Sequence, residues 1–144
     1  MITLKRVYET TTKNDGIRIL IDHLWPRGVS KEEAHLDLWL KDISPSDQLR
    51  EWFGHDPKKW EEFKKRYFKE LQEKKNVIGH EPEQWEHFKK EYMPHFDKQP
   101  EILHQLKQLA KHHTITFVYA AHDEKHNNAV ALQEYIEHHI RLID

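Results

Sequence analysis

Three short runs of β-branched and aromatic residues set the limits on how this chain can fold: TLKRVY at Thr3–Tyr8, IRILI at Ile17–Ile21 and TITFVY at Thr114–Tyr119. The first two are separated only by ETTTKNDG, too short for a helical crossover. They are therefore expected either as antiparallel neighbours or apart, joined by an extended link. The second and third are separated by a long helical region, which permits a parallel pairing. The expected fold is α/β, with a small central sheet of three or more strands, at least one parallel pair, packed helices and a long helical insertion between the second and third strands. With 144 residues and 17.6 kDa the chain is expected to form a single domain over residues 1–144.

Helix starts are marked by capping residues. Ser30 with Glu33 forms a capping box for a helix over KEEAHLDLWL, and Ser44 followed by Pro45 starts a helix that Gly54 can end. Asp56 with Pro57 starts another, running to about Lys75, and Glu101–His112 and His126–Ile140 form two more. Leu36, Leu40 and Ile43 recur at helical spacing, as do Trp60, Phe63, Tyr67 and Leu71, so both sets are expected in a core. An internal repeat aligns GHDPKKWEEFKKRY (Gly54–Tyr67) with GHEPEQWEHFKKEY (Gly79–Tyr92). Two copies are too few for a solenoid. The insertion over residues 72–100, carrying the second copy, is expected as an added helical arm, either a contact in a homo-oligomer or decoration.

Composition removes several kinds of chemistry. Without cysteine there are no thiol nucleophiles, disulfides, iron–sulfur clusters or cysteine-ligated zinc. The three serines, Ser30, Ser44 and Ser46, sit at or near helix starts, which weakens a serine-hydrolase reading. The four glycines form neither a GxGxxG nor a Walker loop. A net charge of −2 supplies no global field toward nucleic acid, although Lys58-Lys59, Lys64-Lys65-Arg66 and Lys89-Lys90 leave local patches open. No apolar stretch approaches the roughly 20 residues of a membrane helix, and MITLKRVYE lacks a leader-like apolar run. The cytoplasm is the expected location, and nothing names a cofactor.

Two loops carry the chemistry. In Ile21-Asp22-His23-Leu24-Trp25-Pro26-Arg27-Gly28 a buried strand ends in an acid, followed by a large aromatic, a stiffening proline, an arginine and a glycine. Ligands in α/β sheets lie beyond the carboxyl ends of strands, where this loop belongs. Arg27 offers a planar donor fork for carboxylate or phosphate, and Asp22 can orient it or act as acid or base. The bland alternative is an Asp22–Arg27 ion pair holding a turn over Trp25. The second loop, Ala120-Ala121-His122-Asp123-Glu124-Lys125-His126-Asn127-Asn128-Ala129, follows the third strand and leads into a helix start. If the second and third strands are parallel neighbours, Asp123 and Asn127 face Arg27 across a crevice; the bland alternative is plain helix capping. In Trp52-Phe53-Gly54-His55-Asp56-Pro57, Asp56 reads as an N-cap and His55 as structural.

The stretch IRILIDHLWPRGVSKEEAHLDLWLKDISPSDQLREWFGHDPKKWEEFKKRY, followed later by TFVYAAHDEKHNNAVALQEYI, resembles the YeaO-like proteins, the family known as domain of unknown function 488. The resemblance covers roughly Ile2–Leu71 and Glu101–Ile136, and the chain departs from it at Gln72–Pro100, which looks longer than the family's usual connection. It implies a compact bacterial α/β protein and brings no established reaction. The family's signature loops fall on Asp22, Trp25, Pro26, Arg27 and Gly28, and on Asp123, His126, Asn127 and Asn128.

The expected function is binding of a small anionic ligand, nucleotide-like or phosphorylated, at the strand ends. Asp22, Arg27 and Asp123 are the candidate catalytic residues should the ligand be turned over; Trp25, Arg27, Gly28, His126, Asn127 and Asn128 are the candidate ligand-binding residues. The second expectation is a non-catalytic interaction or regulatory module that docks a protein or nucleic acid on the Lys/Trp-rich helices. A third is a metal hydrolase using His122, Asp123 and His126, although no HExxH pattern is present.

Overall fold

A computed structural model describes residues 1–74, 82–92 and 101–142. Strands β1 (Ile2–Arg6), β2 (Ile17–Leu20), β3 (Leu38–Trp39) and β4 (Ile115–Tyr119) form one sheet in the order β1-β4-β2-β3, with every pair parallel. Helices α1 (Lys31–Ala34), α2 (Asp47–Phe53), α3 (Trp60–Glu73), α4 (Pro82–Tyr92), α5 (Ile102–His112) and α6 (Asn128–His139) complete the fold. The α/β architecture is as expected. Of the two expected arrangements for the first two strands, the extended link is the one formed, because β4 inserts between β1 and β2 and pairs with both.

Side-chain alternation explains why β4 is central: Ile115, Phe117 and Val118 are wholly buried, so both of its faces need cover. On one face Ile17, Ile19, Ile21, Ile115, Phe117 and Tyr119 join the main core with residues of α2, α3, α5 and α6. On the other, Leu20 and Val118 meet Val7 and Ala34 beneath Trp25 and Trp39. That second face is thin, and its far end is held by charge. Asp15 accepts from Lys5 Nζ at 3.0 Å and Arg18 Nη1 at 2.7 Å, while Arg18 Nη2 donates to the Ala34 carbonyl at 2.9 Å, capping α1.

Three helix expectations are corrected. The run KEEAHLDLWL is not one helix: α1 stops at Ala34, His35 takes a left-handed conformation (φ 48°), and Leu38–Trp39 form β3 against β2. Sheet pairing overrides the helical spacing, since Asp37 N donates to Arg18 O and Leu40 N to Leu20 O, at 2.8 and 2.9 Å. Leu40 and Ile43 are buried all the same, on a strand end and a 3-10 turn. The cap of α2 is Ser46, which accepts from Leu49 N; Ser44 instead donates its hydroxyl to Lys41 O, and Gly54 ends the helix at φ 52°. The last helix starts at Asn128, with Asn127 as its cap, rather than at His126.

The sequence repeat is also a structural one. Trp60 stacks on Phe63 at 5.6 Å with Lys64 over its ring at 5.6 Å; Trp85 stacks on Phe88 at 5.9 Å with Lys89 over its ring at 5.8 Å. The second copy lies against the β3 edge, with Trp85 and Phe88 buried in the main core. Its Gly79–Glu81 start and the expected end near Met93-Pro94 lie outside the described residues. At the opposite edge, the alternation of a parallel ladder turns the backbone groups of Ile2, Leu4 and Arg6 outward. Gln133 Nε2 takes the Ile2 carbonyl and Glu9 takes the Arg6 N–H, which blunts β1 as a template for another strand.

Candidate functional site

Because β2 and β4 are parallel neighbours, the two loops singled out in the sequence leave the same sheet edge. Asp22 ties them together: its Oδ2 accepts from Ala120 N at 2.9 Å and its Oδ1 from Asn128 Nδ2 at 3.1 Å. Burial pushes the Asp22 carboxyl above its ordinary value, against the hydrogen bonds of Asn128 and Ala120 and the fields of Arg50 and His55. The fold therefore holds this proton to higher pH than the unfolded chain does. Asp22's own contribution to stability declines as pH rises from 3.8 through the raised value.

A cavity of about 860 Å³ opens beyond these strand ends. Asp22, Trp25, Pro26 and Arg27 from the first loop and Asp123, Asn127 and Asn128 from the second all line it. Its apolar wall includes Pro45, Phe53 and Phe63, brought over the sheet by the packing of α2 on α3. Trp25 is fixed in place, donating from Nε1 to the Val29 carbonyl at 2.7 Å and packing edge-on against Trp39 at 5.5 Å. Trp39 in turn donates to the Asp22 carbonyl at 2.6 Å.

The acids of this cavity are satisfied within the protein. Asp123 accepts from Lys125 N at 2.8 Å, His126 N at 3.0 Å and His126 Nδ1 at 2.9 Å; the His126 hydrogen bond, then that of Lys125 N, draws its carboxyl below the usual range. The cations are not. Arg27 is exposed, and among the described residues its guanidinium has no hydrogen-bond or ion-pair partner; only its carbonyl is engaged, accepting from Tyr8 OH at 3.1 Å. Arg50 pairs with Asp47, yet its Nε is buried without a partner among the described residues. The bland Asp22–Arg27 ion pair is not formed, and Asp22 orients Asn128 rather than Arg27.

Asn127 is spent on capping, with Oδ1 accepting from Val130 N at 3.0 Å and Nδ2 donating to the Asp123 carbonyl at 2.9 Å. Gly28 (φ 75°) lines a neighbouring cavity of about 410 Å³ instead. His126 lies edge-on to Trp60 at 5.4 Å and outside the large cavity's lining. His122 Nδ1 sits 3.4 Å from Arg6 Nη2, and among the described residues no three His, Asp or Glu side chains converge as a metal ion requires. The ligand set of a His122–Asp123–His126 metal centre is not assembled.

Three basic residues of the cavity, Arg50, His55 and His23, were not picked out as site residues from sequence. Arg50 lies one helical turn before Phe53, so an α2 reading alone puts both on one face. His55, read as structural, follows Gly54 with φ 58° and lines the cavity; the neighbouring Asp56 caps the next turn, as expected. His23 also lines it, 3.9 Å from Asp47, with its imidazole held below the usual range by burial and then by Arg50 and Lys41.

A family profile described as "Inactive DUF488-N3 subclade" matches residues 1–79 and 77–144. The chain belongs to this DUF488 family. The E. coli K12 relative "Uncharacterized protein YeaO" is 32% identical over 135 residues, covering 94% of this chain and 96% of the relative. "Uncharacterized protein Rv3073c" of Mycobacterium tuberculosis H37Rv is 42% identical over 72 residues, half of this chain. The match spans 61% of the length of that mycobacterial relative. No solved structure matches the chain. Among the described residues of this DUF488 protein no helix is long and apolar enough to cross a membrane.

Proposed function

We propose that this DUF488 protein binds a small phosphate- or carboxylate-bearing molecule in the cavity at the ends of β2 and β4, without turning it over. One observation carries the reading: two arginines line a mostly apolar cavity whose acids are internally hydrogen-bonded, and both keep donors without a partner among the described residues. A guanidinium fork on a dry wall recognises an oxyanion through charge-assisted hydrogen bonds. The family's description as inactive supports binding without reaction, as does the commitment of Asp22 to Asn128 and Ala120.

A thermal-shift screen of the full chain against phosphorylated compounds, small carboxylates, matched neutral compounds and divalent cations tests this. A native-state ligand at 100 times its dissociation constant adds about 2.7 kcal/mol, a rise of several degrees at this size. Shifts confined to the anions are expected. Shifts from divalent cations alone would contradict the reading. Silence across the panel would favour an interaction module instead.

Arg27→Ala is expected to weaken anion binding by about tenfold to a hundredfold, the loss of one charge-assisted contact. It should leave unfolding free energy within about 0.5 kcal/mol, because the exposed guanidinium has no partner among the described residues. Isothermal titration and chemical denaturation of the same sample check both.

A further inference from the structure

We infer that the ligand of this cavity is a flat aromatic ring joined to a single phosphate, of nucleoside monophosphate size, rather than a sugar phosphate or a free anion. This rests on the anion-binding reading above and assigns the other half of the site. A cavity of about 860 Å³ is far larger than one phosphate and falls within the range of sites for molecules of some twenty or more atoms. The arginines serve the phosphate, and alongside its polar groups the lining offers apolar and aromatic surface from Leu24, Trp25, Pro45, Phe53 and Phe63.

The large exposed apolar side chains among the described residues are Met1, Tyr8 and Leu24, and two of these three border the cavity. Leu24 is 67% exposed and Tyr8 49%, so the cavity carries hydrophobic surface that packing among the described residues leaves uncovered. Trp25 adds a platform fixed by the Val29 hydrogen bond and by Trp39, which removes the rotamer cost of stacking. An alkyl tail needs no such fixed plane, and a sugar phosphate is too polar to cover these residues. A hydrogen-bonding ring edge has a partner too. Asn128 donates to Asp22 through Nδ2, and this fixed orientation leaves Oδ1 as an acceptor in the lining.

The test is equilibrium binding of the full chain, read by titration calorimetry and by quenching of tryptophan fluorescence, with adenosine 5′-monophosphate and uridine 5′-monophosphate against adenosine, ribose 5-phosphate and inorganic phosphate. At least one monophosphate is expected to bind tenfold or more tightly than ribose 5-phosphate and than adenosine. Leu24→Ala should weaken that monophosphate several-fold and leave ribose 5-phosphate unchanged. Leu24 is exposed and outside the core, so this variant is expected to fold; Trp25→Leu provides a second comparison and should abolish most of the quenching. If ribose 5-phosphate binds as tightly as the monophosphates, the ring assignment is overturned and the anion reading stands. If adenosine binds as tightly as its monophosphate, the anion reading falls with it. Absence of binding by every probe overturns both.

Discussion

Asp15→Ala is expected to destabilise the protein by about 3 kcal/mol, roughly a 6–12 °C fall in midpoint for a chain of this size. Asp15 is 6% exposed and Arg18 2% exposed, so removing the carboxylate leaves a buried guanidinium without its counter-charge. The loss sits at the low end for a broken buried pair because Arg18 keeps its bonds to the carbonyls of Ala34 and His35. The same group predicts the acid limb of stability. Burial raises the Asp15 carboxyl, but the hydrogen bonds from Lys5, Thr12 and Arg18 outweigh it and bring it from 3.8 down to about 2. A depressed acid contributes stability that is complete above its unfolded value and lost as pH falls through its folded one. Its contribution, about 2 kcal/mol, is thus present above pH 3.8 and disappears toward pH 2. Denaturant midpoints across that range measure it, with Asp15→Ala expected to lose about 2 kcal/mol less than the parent chain; an equal acid loss in the variant would contradict the assignment.

Gly16→Ala is expected to cost about 3 kcal/mol for two separate reasons. Its φ of 63° disfavours any side chain, and a Cβ there would press directly on the carbonyl oxygen of Thr114. That oxygen accepts from Ile17 N at 3.0 Å at the start of the β2–β4 pairing, so relief by backbone movement weakens the central ladder. Urea unfolding of the variant should show a lowered midpoint with an unchanged slope. A change within 0.5 kcal/mol, in the range of ordinary surface substitutions, would show that the link between β1 and β2 yields freely.

The distribution of these effects follows what was legible in the residues. The β-branched runs announced β1, β2 and β4, and the polar loops after β2 and β4 announced the mouth of the cavity, because both signals are local. Strand β3 was hidden because two residues carry no period, and Leu38–Trp39 become a strand only when Arg18 and Leu20 offer their backbone. Asp15 reads locally as a turn residue and Arg18 as an intrusion in an apolar strand; their pairing depends on β4 and α1 being in place. The far wall was illegible for the same reason. Arg50 and His55 reach the strand ends only through the packing of α2 on α3, and the αL conformation of His55 has no marker in GHDP. The gap lies in tertiary placement, which also decided that Asn127 would cap a helix while Asn128 held Asp22.

The claim that the cavity holds an anion is tested most directly by backbone and arginine side-chain NMR shifts of the full chain during titration with inorganic phosphate, repeated on Arg27→Ala. Saturable shifts confined to residues 22–28, Arg50, His55 and residues 120–128 are expected, greatly reduced in the variant. Shifts spread over the lysine-rich faces of α3 and α4 and unchanged by Arg27→Ala would contradict it.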